Sequence, residues 1–142
     1  MRIGELAERA GTTTRAPRYD EARGLLQAKR TPNGHRTYGE ADLRLLQQIQ
    51  MLQRFGFGLE ETRPFVECLR AGHPAGDSCP ASLRGYRRKL TELHACIAQL
   101  QEVREQVSSQ LARAEQSLHE LAYASAEPGE RRPRCELASS DD

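Results

Sequence analysis

The spacing of apolar residues along the chain marks out short helices, a hairpin and then one long helix. Ile3, Leu6, Ala7 and Ala10 recur at i, i+3, i+4 and i+7, which predicts a helix over residues 3–10 that Gly11 stops. Thr12, Thr13 and Thr14 offer capping hydroxyls to a second helix running to about residue 23, with Gly24 placed to end it in a left-handed conformation. Two short helices joined by a tight turn have the form of a helix-turn-helix. In LLQAKRTPNGHRTY the Pro32-Asn33-Gly34 turn lets its flanks pair as a small hairpin, which would be a wing. Gly39-Glu40-Ala41-Asp42 leads into an amphipathic helix with Leu43, Leu46, Ile49, Gln50 and Leu52 near one stripe, ending before Gly56-Phe57-Gly58. A further short helix is expected over residues 59–69, carrying Phe65, Val66 and Leu69.

Residues 71–80 are rich in Gly and Pro and read as a linker. Over 81–123 the spacing becomes heptad: one row is Leu83, Leu90, Ile97, Leu111 and Leu118, interrupted by Arg104, and the other is Tyr86, Leu93, Leu100, Val107, Ala114 and Leu121. A helix of this length spans about 60 Å at 1.5 Å per residue, more than a small head covers, so its seam calls for a second helix. The expected architecture is mainly α: a winged helix-turn-helix head over 1–70, the linker, a coiled-coil dimerisation helix over 81–123, and a tail over 124–142 with little apolar content.

Composition sharpens this outline at a few points. The chain has 142 residues, no Trp and 5% aromatics, limited material for a core that closes on itself. Its net charge of +1 hides a local imbalance, because Arg15, Arg18, Arg23, Lys29, Arg30 and Arg36 outnumber Asp20 and Glu21 between Thr13 and Tyr38. No apolar run is long enough to span a bilayer, and the charged start MRIGELAERAG lacks a signal-peptide core, so a cytoplasmic location is expected without a membrane partner. A phosphate-binding glycine loop and a nucleophile motif are both missing, which argues against an enzyme. In a reducing compartment the widely spaced Cys68, Cys79, Cys96 and Cys135 read as thiols or metal ligands rather than structural disulfides.

The run Ile3-Gly4-Glu5-Leu6-Ala7, then Gly11, Thr14-Arg15, Arg18-Tyr19, Glu21, Arg23-Gly24-Leu25-Leu26, Asn33-Gly34, Arg36, Tyr38 and Asp42-Leu43, resembles the N-terminal signature of the MerR family of transcription regulators. Leu52, Gly56-Phe57 and Leu59-Glu60-Glu61 are similar to the family's second helix-turn-helix, and the heptad helix resembles its antiparallel dimerisation helix. The resemblance covers residues 1–123. It implies a homodimer, joined through 81–123, that grips double-stranded promoter DNA at a palindrome and distorts the spacer between promoter elements for RNA polymerase when an effector binds. The residues it points to as DNA-binding are Thr13, Arg15, Arg18, Tyr19, His35, Arg36 and Tyr38; Arg15 and Arg18, three apart, can share the groove-facing side of the second helix. Pro17 and Asp20 depart from the family pattern. Pro17 is harmless if Thr14 caps the helix, and Asp20 would put a carboxylate near the phosphate surface or pair with Arg23. An alternative reading is a coiled-coil interaction protein with a degenerate helix-turn-helix.

Cys79, just before the long helix, resembles the metal-binding cysteine of the family's divalent-metal sensors. Cys135 and His119 are the implied further ligands, with Cys68 as another donor, for a soft ion such as zinc, mercury, cadmium or lead. Sensing of a redox or thiol-reactive signal, and purely structural cysteines, are the alternatives. Cys96 is expected to pack beside the seam as a small hydrophobe, and His73 and His94 to face solvent.

Overall fold

The computed structural model describes residues 1–121. The element order is α1 (Ile3–Arg9), α2 (Arg15–Ala22), β1 (Lys29–Arg30), β2 (Arg36–Thr37), α3 (Glu40–Arg54), a 3-10 turn (Glu60–Thr62), α4 (Arg63–Arg70) and α5 (Pro80–Leu121). No helix among the described residues is long and apolar enough to cross a membrane.

The chain divides into two units, Met1–Lys89 and a second that begins at Leu90. In the first, α1 and α2 form the helix-turn-helix; Gly11 and Gly24, both at positive φ, end the two helices where a side chain would be strained. The antiparallel β1–β2 pair sets Lys29 opposite Thr37 and Arg30 opposite Arg36. Its turn closes through the Thr31 N–H to the His35 carbonyl and the Gly34 N–H to the Thr31 carbonyl, both at 2.8 Å. Leu6 of α1, Leu25 and Leu26 after α2, Leu43, Leu46 and Ile49 of α3 and Val66 of α4 make one core cluster. The Asp42 carboxylate accepts the Gly39 N–H at 2.8 Å and so caps α3.

The single helix expected over 59–69 is instead a 3-10 turn followed by α4, with Pro64 in α4's first turn. Proline has no N–H for an interior helical bond, so the regular helix starts beside it rather than running through it. A second cluster joins Leu52, Phe57 and Phe65 with Tyr86 of α5. Gly85 makes that junction possible, since a Cβ there would come within 3.2 Å of the Phe65 ring. In the second unit the described part of α5 keeps its heptad hydrophobics in the open: Leu90, Ile97, Leu100, Val107, Leu111, Leu118 and Leu121 are 38% to 62% exposed. The expected tail at 124–142 lies outside the described residues.

Candidate nucleic-acid interface and thiol cluster

Thr14 is the N-cap of α2, which puts Arg15 at its first position and Pro17 at its third. The first intrahelical bond is then the Arg18 N–H to the Thr14 carbonyl, 3.2 Å, so the proline forfeits none and its ring is buried against the head. Arg15 and Arg18 are exposed one turn apart, with Thr13 exposed in the preceding turn. The Tyr19 ring is also exposed; its hydroxyl accepts from Arg23 Nη2 at 2.9 Å, and the Arg23 guanidinium lies 5.2 Å from the ring centre. Asp20 departs from expectation. It is 4% exposed and turned into the head, so it meets no phosphate surface, and burial pushes its carboxyl up to about 6.

Between α2 and the wing lies a hollow of about 390 Å³ lined by Arg2, Ile3, Arg18, Arg30, Gly34, His35 and Arg36. Four guanidinium-bearing chains from four separate segments converge there, with His35 exposed at the hairpin tip. Two residues hold the wing against α2. Arg36 Nη1 meets Glu21 Oε2 at 2.7 Å, and the Tyr38 hydroxyl donates to Glu21 Oε1 at 2.8 Å. Tyr38 is only 3% exposed, so this expected DNA contact is a core residue and a brace. Burial first, and then the bond to the Glu21 carboxylate, push its hydroxyl up to about 12. Sequence reasoning gave Arg2 and Glu21 no part in this surface. Glu21 stands one turn from the buried Pro17 on α2, a signal that it too faces the wing root.

The second chemical feature lies where α4 passes into α5. Cys68 of α4 and Cys79, just before α5, form a disulfide with Cα atoms 6.0 Å apart, which corrects the expectation of free thiols. The spacing of eleven residues carries no disulfide signature; the loop between the two cysteines carries Gly72 at a φ of +93° just after α4 ends. His73 on that loop completes a triad whose donor atoms lie within 4.8 Å of one another. His73 is exposed as expected, yet it belongs to this cluster. His119 is exposed near the end of α5 in the second unit, and Cys135 lies outside the described residues. Cys96 is disulfide-bonded rather than a packed free thiol, and His94 is exposed.

Known families match the geometry. The family description "MerR HTH family regulatory protein" matches residues 1–67 and "MerR, DNA binding" matches residues 43–110. The chain is 35% identical over 105 residues to the HTH-type transcriptional regulator HmrR of Rhizobium leguminosarum bv. viciae, covering 73% of this chain and 78% of that one. It is 37% identical over 101 residues to the HTH-type transcriptional regulator ZntR of Escherichia coli K12, covering 70% of each. The crystal structure of HiNmlR, a MerR family regulator lacking the sensor domain and bound to promoter DNA, shares the fold with a TM-score of 0.52 at 24% identity, over 85% of this chain and 94% of that chain. With its head, wing and long helix accounted for on these grounds, the chain belongs to the MerR family of DNA-binding transcriptional regulators.

Proposed function

We propose that two copies of this chain pair through their α5 helices and hold their winged heads on the two halves of a palindromic promoter, where an effector makes the dimer distort the spacer for RNA polymerase. The observation that carries the reading is the arginine-lined hollow between α2 and the wing. Arg18 and Arg15 reach the major groove, where Arg binds guanine edges or phosphates, while Arg2, Arg30 and Arg36 follow the backbone on either side. His35 lines the same hollow, and the exposed Thr13 and Tyr19 are the further contacts of this reading. The description of HiNmlR as bound to promoter DNA supports this placement by analogy of fold. The exposed heptad row on α5 supports pairing, since an apolar stripe of that length in water is unfavourable. The effector is a soft divalent cation or a thiol-reactive oxidant received at the cysteines, in keeping with the similarity to ZntR and HmrR and with the Cys/His triad. Pro17 and Asp20, the only motive for a non-binding adaptor, are both turned inward.

Titrating a promoter fragment at several salt concentrations tests this. Binding should weaken steeply with salt, and Arg18→Ala should cost about 1–3 kcal/mol with relaxed sequence preference. Affinity insensitive to both salt and Arg18→Ala would refute the DNA-binding surface. Transcription from a promoter with an overlong spacer should rise when the inducing ion or oxidant is added, with promoter occupancy unchanged. Release of the protein from DNA by the inducer would refute the distortion mechanism.

A further inference from the structure

We propose that Cys68, His73 and Cys79 of a single protomer form a redox-gated site for a soft divalent cation of the zinc class, held by the dithiol and excluded by the disulfide. The inference deepens the effector reading above and rests on it only for its regulatory consequence.

Three observations converge. First, the donor atoms lie within 4.8 Å of one another on three different backbone segments: the last turn of α4, the loop, and the residue before α5. A tetrahedral ion with bonds of about 2.3 Å to sulfur and about 2.0 Å to nitrogen needs donors roughly 3–4 Å apart. Once the bond between the two sulfurs is reduced they can separate to that distance, and their Cα atoms already stand only 6.0 Å apart. Second, the loop that carries the triad is anchored along its length. Ser82 Oγ donates to the Gly76 carbonyl at 2.5 Å, the Tyr86 hydroxyl donates to Asp77 at 3.2 Å, and the Cys68 sulfur lies 3.5 Å from the Ala75 carbonyl oxygen. Gly76 is wedged so closely that a Cβ would stand 3.1 Å from the Gln48 side chain and 3.2 Å from the Phe65 carbonyl. A donor set on such a loop is organised before the ion arrives, which lowers the ordering cost of binding. Third, access is graded: Cys68 is buried, Cys79 half-buried and His73 exposed, so an ion or a small oxidant enters from the His73 side.

The chemistry balances in both directions. In binding, the Cys68 and Cys79 thiols release two protons to solvent, and the cation takes two thiolates and one neutral imidazole nitrogen, leaving its fourth position to water. In oxidation by a peroxide, the two thiolates surrender two electrons and form the S–S bond. The peroxide, with two protons, leaves as two waters, and the cation departs because only the imidazole remains to hold it. The two states alternate at the junction between the last helix of the head and the first turn of α5.

The full-length protein, reduced with a phosphine and freed of the reductant, is titrated with zinc(II) against a chromophoric chelator, and with cobalt(II) for its thiolate charge-transfer absorption. The expected result is one ion per chain, a thiolate band with cobalt, and loss of both after peroxide treatment, with the ion recovered free in solution. Cys68→Ser and Cys79→Ser should each weaken zinc binding by more than about 100-fold, since even residues that only support ligands cost roughly 10–100-fold. His73→Ala should weaken it by at least about tenfold, while Cys96→Ser and Cys135→Ser leave it unchanged. Wild-type zinc affinity in Cys68→Ser or His73→Ala overturns the site, as does loss of binding in Cys135→Ser. If zinc binds with this ligand dependence yet leaves transcription unaltered, the site stands and the effector reading alone fails.

Discussion

Asp20 sits on the helix that carries Arg15 and Arg18, but its carboxyl is buried in the head and is pushed up to about 6 by that burial. An unfolded aspartate titrates near 3.9. Below about pH 4 both states are protonated and the carboxyl costs nothing; between about 4 and 6 the folded state retains a proton that the unfolded state has released, so stability falls as pH rises. Above about pH 6 the full penalty, on the order of 3 kcal/mol, is present. Asp20→Asn should therefore stabilise the head by about 1–3 kcal/mol at pH 8 and by much less at pH 4.5, read as the shift in the urea midpoint at each pH. Identical pH profiles for the variant and the parent would contradict the buried acid. The same residue shows where the sequence was silent. Charge type alone suggested a carboxylate facing phosphate, and only helix phase relative to Pro17 and the core places it inside. Tyr38 repeats the lesson, because an exposed and a buried tyrosine look alike until Glu21 is found 2.8 Å from its hydroxyl.

At the scale of elements, the start of α5 is tied to the head by Lys89. Its side chain is 3% exposed, with Nζ 3.0 Å from the Gly56 carbonyl and 3.3 Å from Glu61 Oε1, and it lies 5.1 Å from the centre of the Phe57 ring. Glu61 meanwhile accepts the Gly58 N–H at 2.8 Å, so one carboxylate organises both the turn before α4 and the entry of α5. Removing the ammonium strands a nearly buried carboxylate, and Lys89→Met should cost about 3–5 kcal/mol. Thermal unfolding checks this; a loss below about 1 kcal/mol would mean that solvent reaches Glu61 freely. The apolar periodicities of α1 and α3 were legible because each of these helices buries one face in the head, α5 was legible from its heptad rows, and local capping and turn chemistry announced α2 and the wing. What joins elements was not legible. Cys68 with Cys79, Lys89 with Glu61, and Arg36 with Glu21 are contacts across sequence gaps that no local pattern encodes, and the hidden proline problem in residues 59–69 turned on which side of Pro64 the helix began.

At the scale of the whole molecule, the exposed row Leu90, Ile97, Leu111 and Leu118 is the feature that most needs a partner. Each such side chain gains about 1.5–3 kcal/mol when fully buried, so the row from two copies supplies a double-digit gross driving force before ordering costs are met. A glutamate in that seam must either be desolvated or hold the helices apart. Ile97→Glu combined with Leu111→Glu should yield a monomer by light scattering at about 10 μM, while the head keeps its fold because neither position belongs to either core cluster. DNA affinity should fall by about 10²–10⁴-fold, since a single head forfeits the effective concentration that tethering gives the second. The variant remaining dimeric would show that the seam is not the contact between copies. A monomer that binds DNA as tightly as the parent would show that the second head adds nothing, and with it the account of two heads acting on one spacer would lose its physical basis.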